Sequence, residues 1–161
     1  MASFRIWVIA FLLWSLELLL SPRIPVVWVF VDPLFLLLIF LGLNLSSAKF
    51  LWLYGVVLGM LKDVATAGLF GGYTCTFALM GWFLEWSRHL VEREDPLVQG
   101  VWVGLLVGLN SLVYGLLITL ADPAVGWNRW WWGITPIAML ASGGCAMWSF
   151  PRLRQFLKGT R

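Results

Sequence analysis

Apolar residues run through this chain in long stretches, broken by short polar punctuation rather than alternating with it. Six stretches stand out, at about residues 4–20, 26–45, 49–61, 69–86, 97–120 and 131–148. Most approach the roughly 20 residues that a helix needs to cross a hydrocarbon core. The third is the shortest and calls for shielding by neighbours or local thinning of the bilayer. Strands of a membrane barrel would alternate apolar and polar residues, and these runs do not, so helices are the expected element. The pattern predicts an all-α integral membrane protein, a six-transmembrane-helix bundle forming a single polytopic membrane domain over residues 1–161. The first run also has the length of a signal peptide. Its end, Leu18-Leu19-Leu20-Ser21-Pro22, offers no small-x-small cleavage site, so a retained helix is expected.

Composition strengthens that picture. The chain is 61% hydrophobic and 12% charged, with a mean hydropathy of +0.88. Soluble domains are about 45–50% apolar and about 25% charged. The net charge of +3 does not point to nucleic acid. With the N-terminus inside, the inner loops and tail hold Arg5, Lys49, Arg88, Arg93, Arg152, Arg154, Lys158 and Arg161. The outer side holds Arg23, Lys62 and Arg129, so eight of the eleven basic residues predict both termini in the cytoplasm.

Seven of the twelve tryptophans (Trp7, Trp28, Trp52, Trp86, Trp102, Trp131 and Trp148) fall near segment ends, where amphipathic rings favour the bilayer surface. The run Trp127-Asn128-Arg129-Trp130-Trp131-Trp132 is denser than anchoring requires. It reads as an interfacial belt or as a periplasmic docking patch carried by Trp127, Arg129, Trp130 and Trp131, since Trp and Arg concentrate at binding hot spots. Cys75 and Cys145 lie inside apolar runs and are expected as small buried hydrophobes rather than a disulfide or metal ligands. His89 alone builds no metal cluster.

The chain carries no HExxH, Walker A or GxSxG motif and no His-Cys cluster, so a non-enzymatic protein without cofactor or metal is expected. Its chemistry concentrates in a few ionisable residues set in or beside apolar runs: Glu17, Asp32, Lys62, Asp63 and Glu85. Such residues mark functional sites in membrane proteins. Glu17 is expected to reach the interface. Asp32-Pro33 interrupts the second run. It either caps a helix that begins at Pro33 or marks a broken helix whose carboxylate and exposed dipole form a site. In the string Gly-Val-Val-Leu-Gly-Met-Leu-Lys-Asp, residues 55–63, a spacing of four puts Gly55, Gly59 and Asp63 on one helical face. There, Lys62 and Asp63 form an interfacial ion pair, or Asp63 accepts hydrogen bonds from amides of residues 65–72. Gly68, Gly71 and Gly72 make a tight turn sterically easy in that stretch. A second face of small residues, Gly100, Gly104 and Gly108, suits close helix packing, either inside the bundle or against a partner helix.

The order of these features resembles the rod shape-determining protein MreD family of bacteria. The features are an N-terminal helix, Val31-Asp32-Pro33-Leu34, then Gly55-x-x-x-Gly59-x-x-x-Asp63, the turn Gly68-Leu69-Phe70-Gly71-Gly72 and a further apolar helix. Two positions depart from the family pattern. The second-segment marker reads Asp32 then Pro33 rather than Pro first, and a lysine, Lys62, precedes the aspartate. The resemblance implies a non-enzymatic scaffold subunit of the cell-elongation complex in the bacterial inner membrane, where it would support peptidoglycan synthesis and rod shape. Its implied partners are the membrane helix of MreC and, in the wider complex, MreB, RodA and a penicillin-binding transpeptidase. The family is also similar in fold to substrate-binding S-components of energy-coupling-factor transporters, which supplies the alternative of a vitamin or metal uptake subunit. S-components commonly carry an Ala-x-x-x-Ala face in the first helix, and residues 4–20 hold only Ala10.

Overall fold

The structure is a computed structural model that describes residues 2–20, 31–44, 50–66, 70–87, 95–121 and 129–158; the side chains of 2–6, 20, 129–133 and 156–158 lie outside the description. It is all-helical among these residues, with six helices: α1 (Ala2–Leu20), α2 (Pro33–Asn44), α3 (Leu51–Ala65), α4 (Gly72–Ser87), α5 (Pro96–Ala121) and α6 (Arg129–Lys158). By length and apolar composition α5 alone among the described residues is sufficient to cross a membrane; Trp7–Leu19 and Pro33–Asn44 are shorter apolar helices.

The helices follow the expected runs with shifted ends. The third run, read as 49–61, becomes α3 and continues through Asp63 to Ala65. The last, read as 131–148, continues through Pro151 to Lys158. The second begins at Pro33 rather than at 26, and residues 26–30 lie outside the description.

Two antiparallel pairs dominate the packing, α3 with α4 and α5 with α6. Helix α2 is the centre. Each residue from Leu34 to Leu43 is buried, because α1, α3, α4 and α6 all pack on it. A helix apolar all round is stable only where neighbours cover every face, and PLFLLLIFLGLN is such a sequence. Aromatic contacts tie α2 outward: Phe35 meets Phe77 of α4 at 5.1 Å, and Phe40 meets Phe150 of α6 edge-on at 5.2 Å.

Glycines set how closely the pairs approach. A Cβ on Gly59 would sit 2.5 Å from Thr74 Cα and 2.6 Å from the Tyr73 carbonyl oxygen. One on Gly55 would collide with the Phe77 carbonyl, and one on Gly81 would lie 2.8 Å from the Leu51 carbonyl oxygen. In the second pair, a Cβ on Gly143 would lie 2.7 Å from the Gly100 carbonyl oxygen, and Gly104 and Gly108 close on Met139. Both glycine faces are thus occupied within the fold. Of the two readings of Gly100, Gly104 and Gly108, packing inside the bundle is the one the structure has: α6 fills the face, and it is not open to a partner helix.

The outer surface is apolar on five helices. Phe11, Val64, Trp82, Leu120 and Leu140 are all more than half exposed. Trp7, Trp52, Trp86 and Trp148 are exposed as well. Cys75 and Cys145 are free and exposed, which corrects the expectation of buried thiols: both sit on outward helix faces.

Candidate functional site

Charge is buried where α1, α2, α3 and α4 meet. Three segments each bring one ionisable side chain: Glu17 from α1, Asp32 at the start of α2 and Lys62 from α3. The Lys62 ammonium contacts Glu17 Oε1 directly and lies 3.2 Å from Asp32 Oδ2. The Glu17 and Lys62 side chains are 2% and 5% exposed, and Asp32 is 20% exposed. Tyr73 of α4 closes the fourth side, with its ring centroid 5.6 Å from Lys62 Nζ. Tyr73 in turn stacks on Tyr114 of α5 at 4.2 Å.

Of the two readings of Lys62-Asp63, the structure has the one in which Asp63 accepts from backbone amides, Gly71 N–H among them, and not the ion pair between the two neighbours. The expectation that Glu17 reaches for the interface is corrected, since its side chain is buried against Lys62. Successive residues on a helix point about 100° apart, so Lys62 turns to α1 and α2 while its neighbour turns to α4.

Asp63 has a separate role. Its carboxylate accepts from the backbone N–H groups of Gly71, Tyr73 and Thr74, each at 3.0 Å, and from the Thr74 hydroxyl at 2.6 Å. The Tyr73 and Thr74 amides belong to the first turn of α4 and that of Gly71 lies just before it, where N–H groups lack partners within the helix. A carboxylate there also meets the positive end of the helix dipole. Gly71 precedes α4 with φ +89°, a conformation that side chains disfavour; Gly72 begins the helix and is buried. Gly68 lies outside the described residues.

Glu85 mirrors Asp63 at the other end of the same pair. Helix α3 follows Phe50, which has φ 73° and provides no side-chain cap. The carboxylate of Glu85, from the last turns of α4, accepts from Leu51 N–H at 3.3 Å instead. Each helix of the hairpin therefore carries an acid that caps the N-terminus of the other.

Asp32 takes the capping role set out for it and adds a contact that the sequence did not show. Oδ1 accepts from Leu34 and Phe35 N–H at 3.1 and 3.2 Å, which caps α2 with Pro33 as its first residue. Oδ2 faces Lys62. The proline places the helix start, and the start places the carboxylate. Trp14, one turn before Glu17, donates from its indole to the Leu61 carbonyl at 2.8 Å and so fixes α1 beside Lys62.

The cluster of Trp127, Arg129, Trp130 and Trp131 is not placed: Trp127 lies outside the described residues, and for the other three only the helical backbone is described. Sequence reasoning missed Thr74, Tyr73 and the Glu17–Lys62 contact. The signal for that contact was present: three charges in apolar surroundings, two acidic and one basic, satisfy one another most cheaply by meeting.

As an arrangement, the site holds helices together. The cation ties α1 to α2, Asp63 ties α3 to α4, and the two acts happen on adjacent residues. Comparison with protein-family models, curated proteins and solved structures returns no match to this chain.

Proposed function

We propose that the chain is a multi-pass protein of the bacterial inner membrane that acts as a non-enzymatic scaffold of the elongation machinery, as the MreD family does. In this reading the six helices are six membrane spans with both termini in the cytoplasm. The protein holds the membrane helix of MreC and works beside MreB, RodA and a penicillin-binding transpeptidase.

The membrane placement is supported by the inverted distribution of side chains. Glu17, Lys62 and Asp63 are buried, while large apolar residues cover the exterior of α1, α3, α4, α5 and α6. Water disfavours a contiguous apolar exterior of this kind, and lipid accepts it. Helix α2 would be about 18 Å long at 1.5 Å per residue, short of a roughly 30 Å hydrocarbon core. Its cover of neighbouring helices removes the need for it to meet lipid at full length.

The single observation that carries the scaffold reading is the convergence of the residues behind the resemblance. Asp32 and Pro33 start α2 and engage Lys62. Gly55 and Gly59 let α4 approach, and Asp63 caps it. Residues scattered over positions 32–72 form one mechanical unit whose charges are spent on helix contacts. The groove between α1, α2 and α6, about 240 Å³, is lined by Ile9, Leu13, Val31, Leu36, Phe150 and other apolar side chains, with Ser149 the polar exception. A vitamin or metal site in this groove would need converging polar groups, which its lining does not supply. Since the two glycine faces are filled internally, MreC would meet another part of the apolar exterior.

Depletion of the chain from its host tests the reading. Rod-shaped cells should round up as peptidoglycan insertion along the side wall fails. Depleted cells that keep their shape and insertion pattern would overturn it.

A further inference from the structure

The buried charge cluster holds more negative charge than its cation can balance. Lys62 faces two carboxylates, Glu17 and Asp32. Asp63 adds a third on the next residue of α3, and the neighbours from α4 and α5 are the phenols Tyr73 and Tyr114. The three carboxylates are not equally provided for. Asp63 receives four hydrogen bonds. Asp32 receives two backbone N–H bonds at a helix start, meets Lys62 and keeps part of its surface open. Glu17 is the most deeply buried, has Lys62 as its donor through Oε1, and its Oε2 is buried with no hydrogen-bond partner among the described residues. An ionised carboxylate oxygen in that position lacks the solvation that its charge requires.

We infer that Glu17 is a proton-binding site. Its Oε2 takes a proton delivered through water past the part-exposed Asp32, while the Lys62 ammonium stays with Asp32. In the step, an O–H bond of hydronium breaks, the Oε2–H bond of Glu17 forms, and water leaves. The carboxylate becomes a neutral acid whose Oε1 still accepts from Lys62. One negative charge is removed, Lys62 with Asp32 remains a balanced pair, and Asp63 keeps its own four hydrogen bonds. Proton release restores the charge on Glu17 and tightens the contact that holds α1 to α3. The site stands on its own geometry and holds whether or not the chain serves cell elongation.

Infrared difference spectroscopy of the full chain in lipid vesicles, between mildly acidic and mildly alkaline buffer, tests this directly. The expected result is a pH-dependent carbonyl band of a buried carboxylic acid that disappears in Glu17→Gln and persists in Asp95→Asn, an exposed control. A spectrum in which no acid band depends on Glu17 overturns the proposal. Should Glu17→Gln fail to insert, Glu17→Asp is compared with the wild type, both carrying glutamate labelled with ¹³C at the carboxyl. A label-shifted acid band of the wild type that is lost in Glu17→Asp supports the site, and a band unchanged in that variant, or none at all, overturns it.

Discussion

Lys62 and Asp63 are adjacent in sequence and serve opposite sides of α3. Lys62 is buried between two acids, so its removal leaves both without a cation. Loss of one partner from a buried ion cluster costs about 3–5 kcal/mol. Lys62→Met should therefore destabilise the protein by that amount. The double variant Lys62→Met with Glu17→Gln should lose clearly less than the sum of the two single changes, because the stranded Glu17 charge is gone and Asp32 keeps its two backbone donors. Thermal unfolding in detergent of the wild type, both single variants and the double variant reads the coupling; simple additivity would contradict the contact. Asp63→Ala removes the acceptor of three amides and a hydroxyl. With hydrogen bonds to a charged group at about 1.5–3 kcal/mol each and partial recovery by water, a loss of about 3 kcal/mol or more is expected. The exchange rates of the Gly71, Tyr73 and Thr74 amides should rise first, and unchanged protection there would contradict the cap.

At the scale of the helices, the hairpin α3–α4 depends on contact without side chains. Gly59→Ala would place a methyl group within 2.6 Å of the Tyr73 carbonyl oxygen, which forces the backbones apart. Overpacking of this kind costs about 1–3 kcal/mol. Gly144→Ala is the matched control, since nothing lies within 4 Å of its Cβ position. There the gain in helix propensity, about 0.5–1 kcal/mol, should stabilise α6. Equal responses of the two variants would contradict the close approach. The glycine spacing alone revealed which residues share a face, because period and rise are fixed by the backbone. It did not reveal what fills the face: Met139 and Gly143 of α6 lie more than thirty residues from Gly104 and Gly100. Glu85 was hidden for the same reason, since its partner Leu51 is distant in sequence and carries no polar side chain. Asp32-Pro33 was legible because a cap and its first residue are neighbours, and local chemistry settles where the helix starts.

For the whole molecule, the apolar runs sufficed to place helices but not their ends: α3 runs on to Ala65 as Lys62 and Asp63 join the interior, α2 starts at Pro33, and α6 continues to Lys158. The depth of α2 was not legible, because an apolar run facing lipid and one enclosed by helices have the same composition. The fate of the thiols shows the converse. Cys75 and Cys145 are exposed on helix faces, which an apolar setting in sequence does not distinguish from burial. Thiol-reactive probes that partition into lipid should label both cysteines, and water-soluble probes should label them far more slowly, if the exterior is in the bilayer. The dense run at Trp127–Trp132, read as an interfacial belt or as a periplasmic docking patch, gives a further expectation. If it docks a partner, replacement of Trp130 and Trp131 by leucine should weaken recovery of the complex while leaving insertion intact. Unchanged recovery would return those rings to anchoring.

The most direct test of the scaffold reading is affinity purification of the tagged chain from its native membrane in mild detergent, with the co-purifying proteins identified by mass spectrometry. The account predicts MreC, a protein with one membrane helix and a periplasmic domain, together with enzymes of side-wall elongation. Recovery of a paired ATPase module with a coupling membrane subunit, and no MreC, would contradict it.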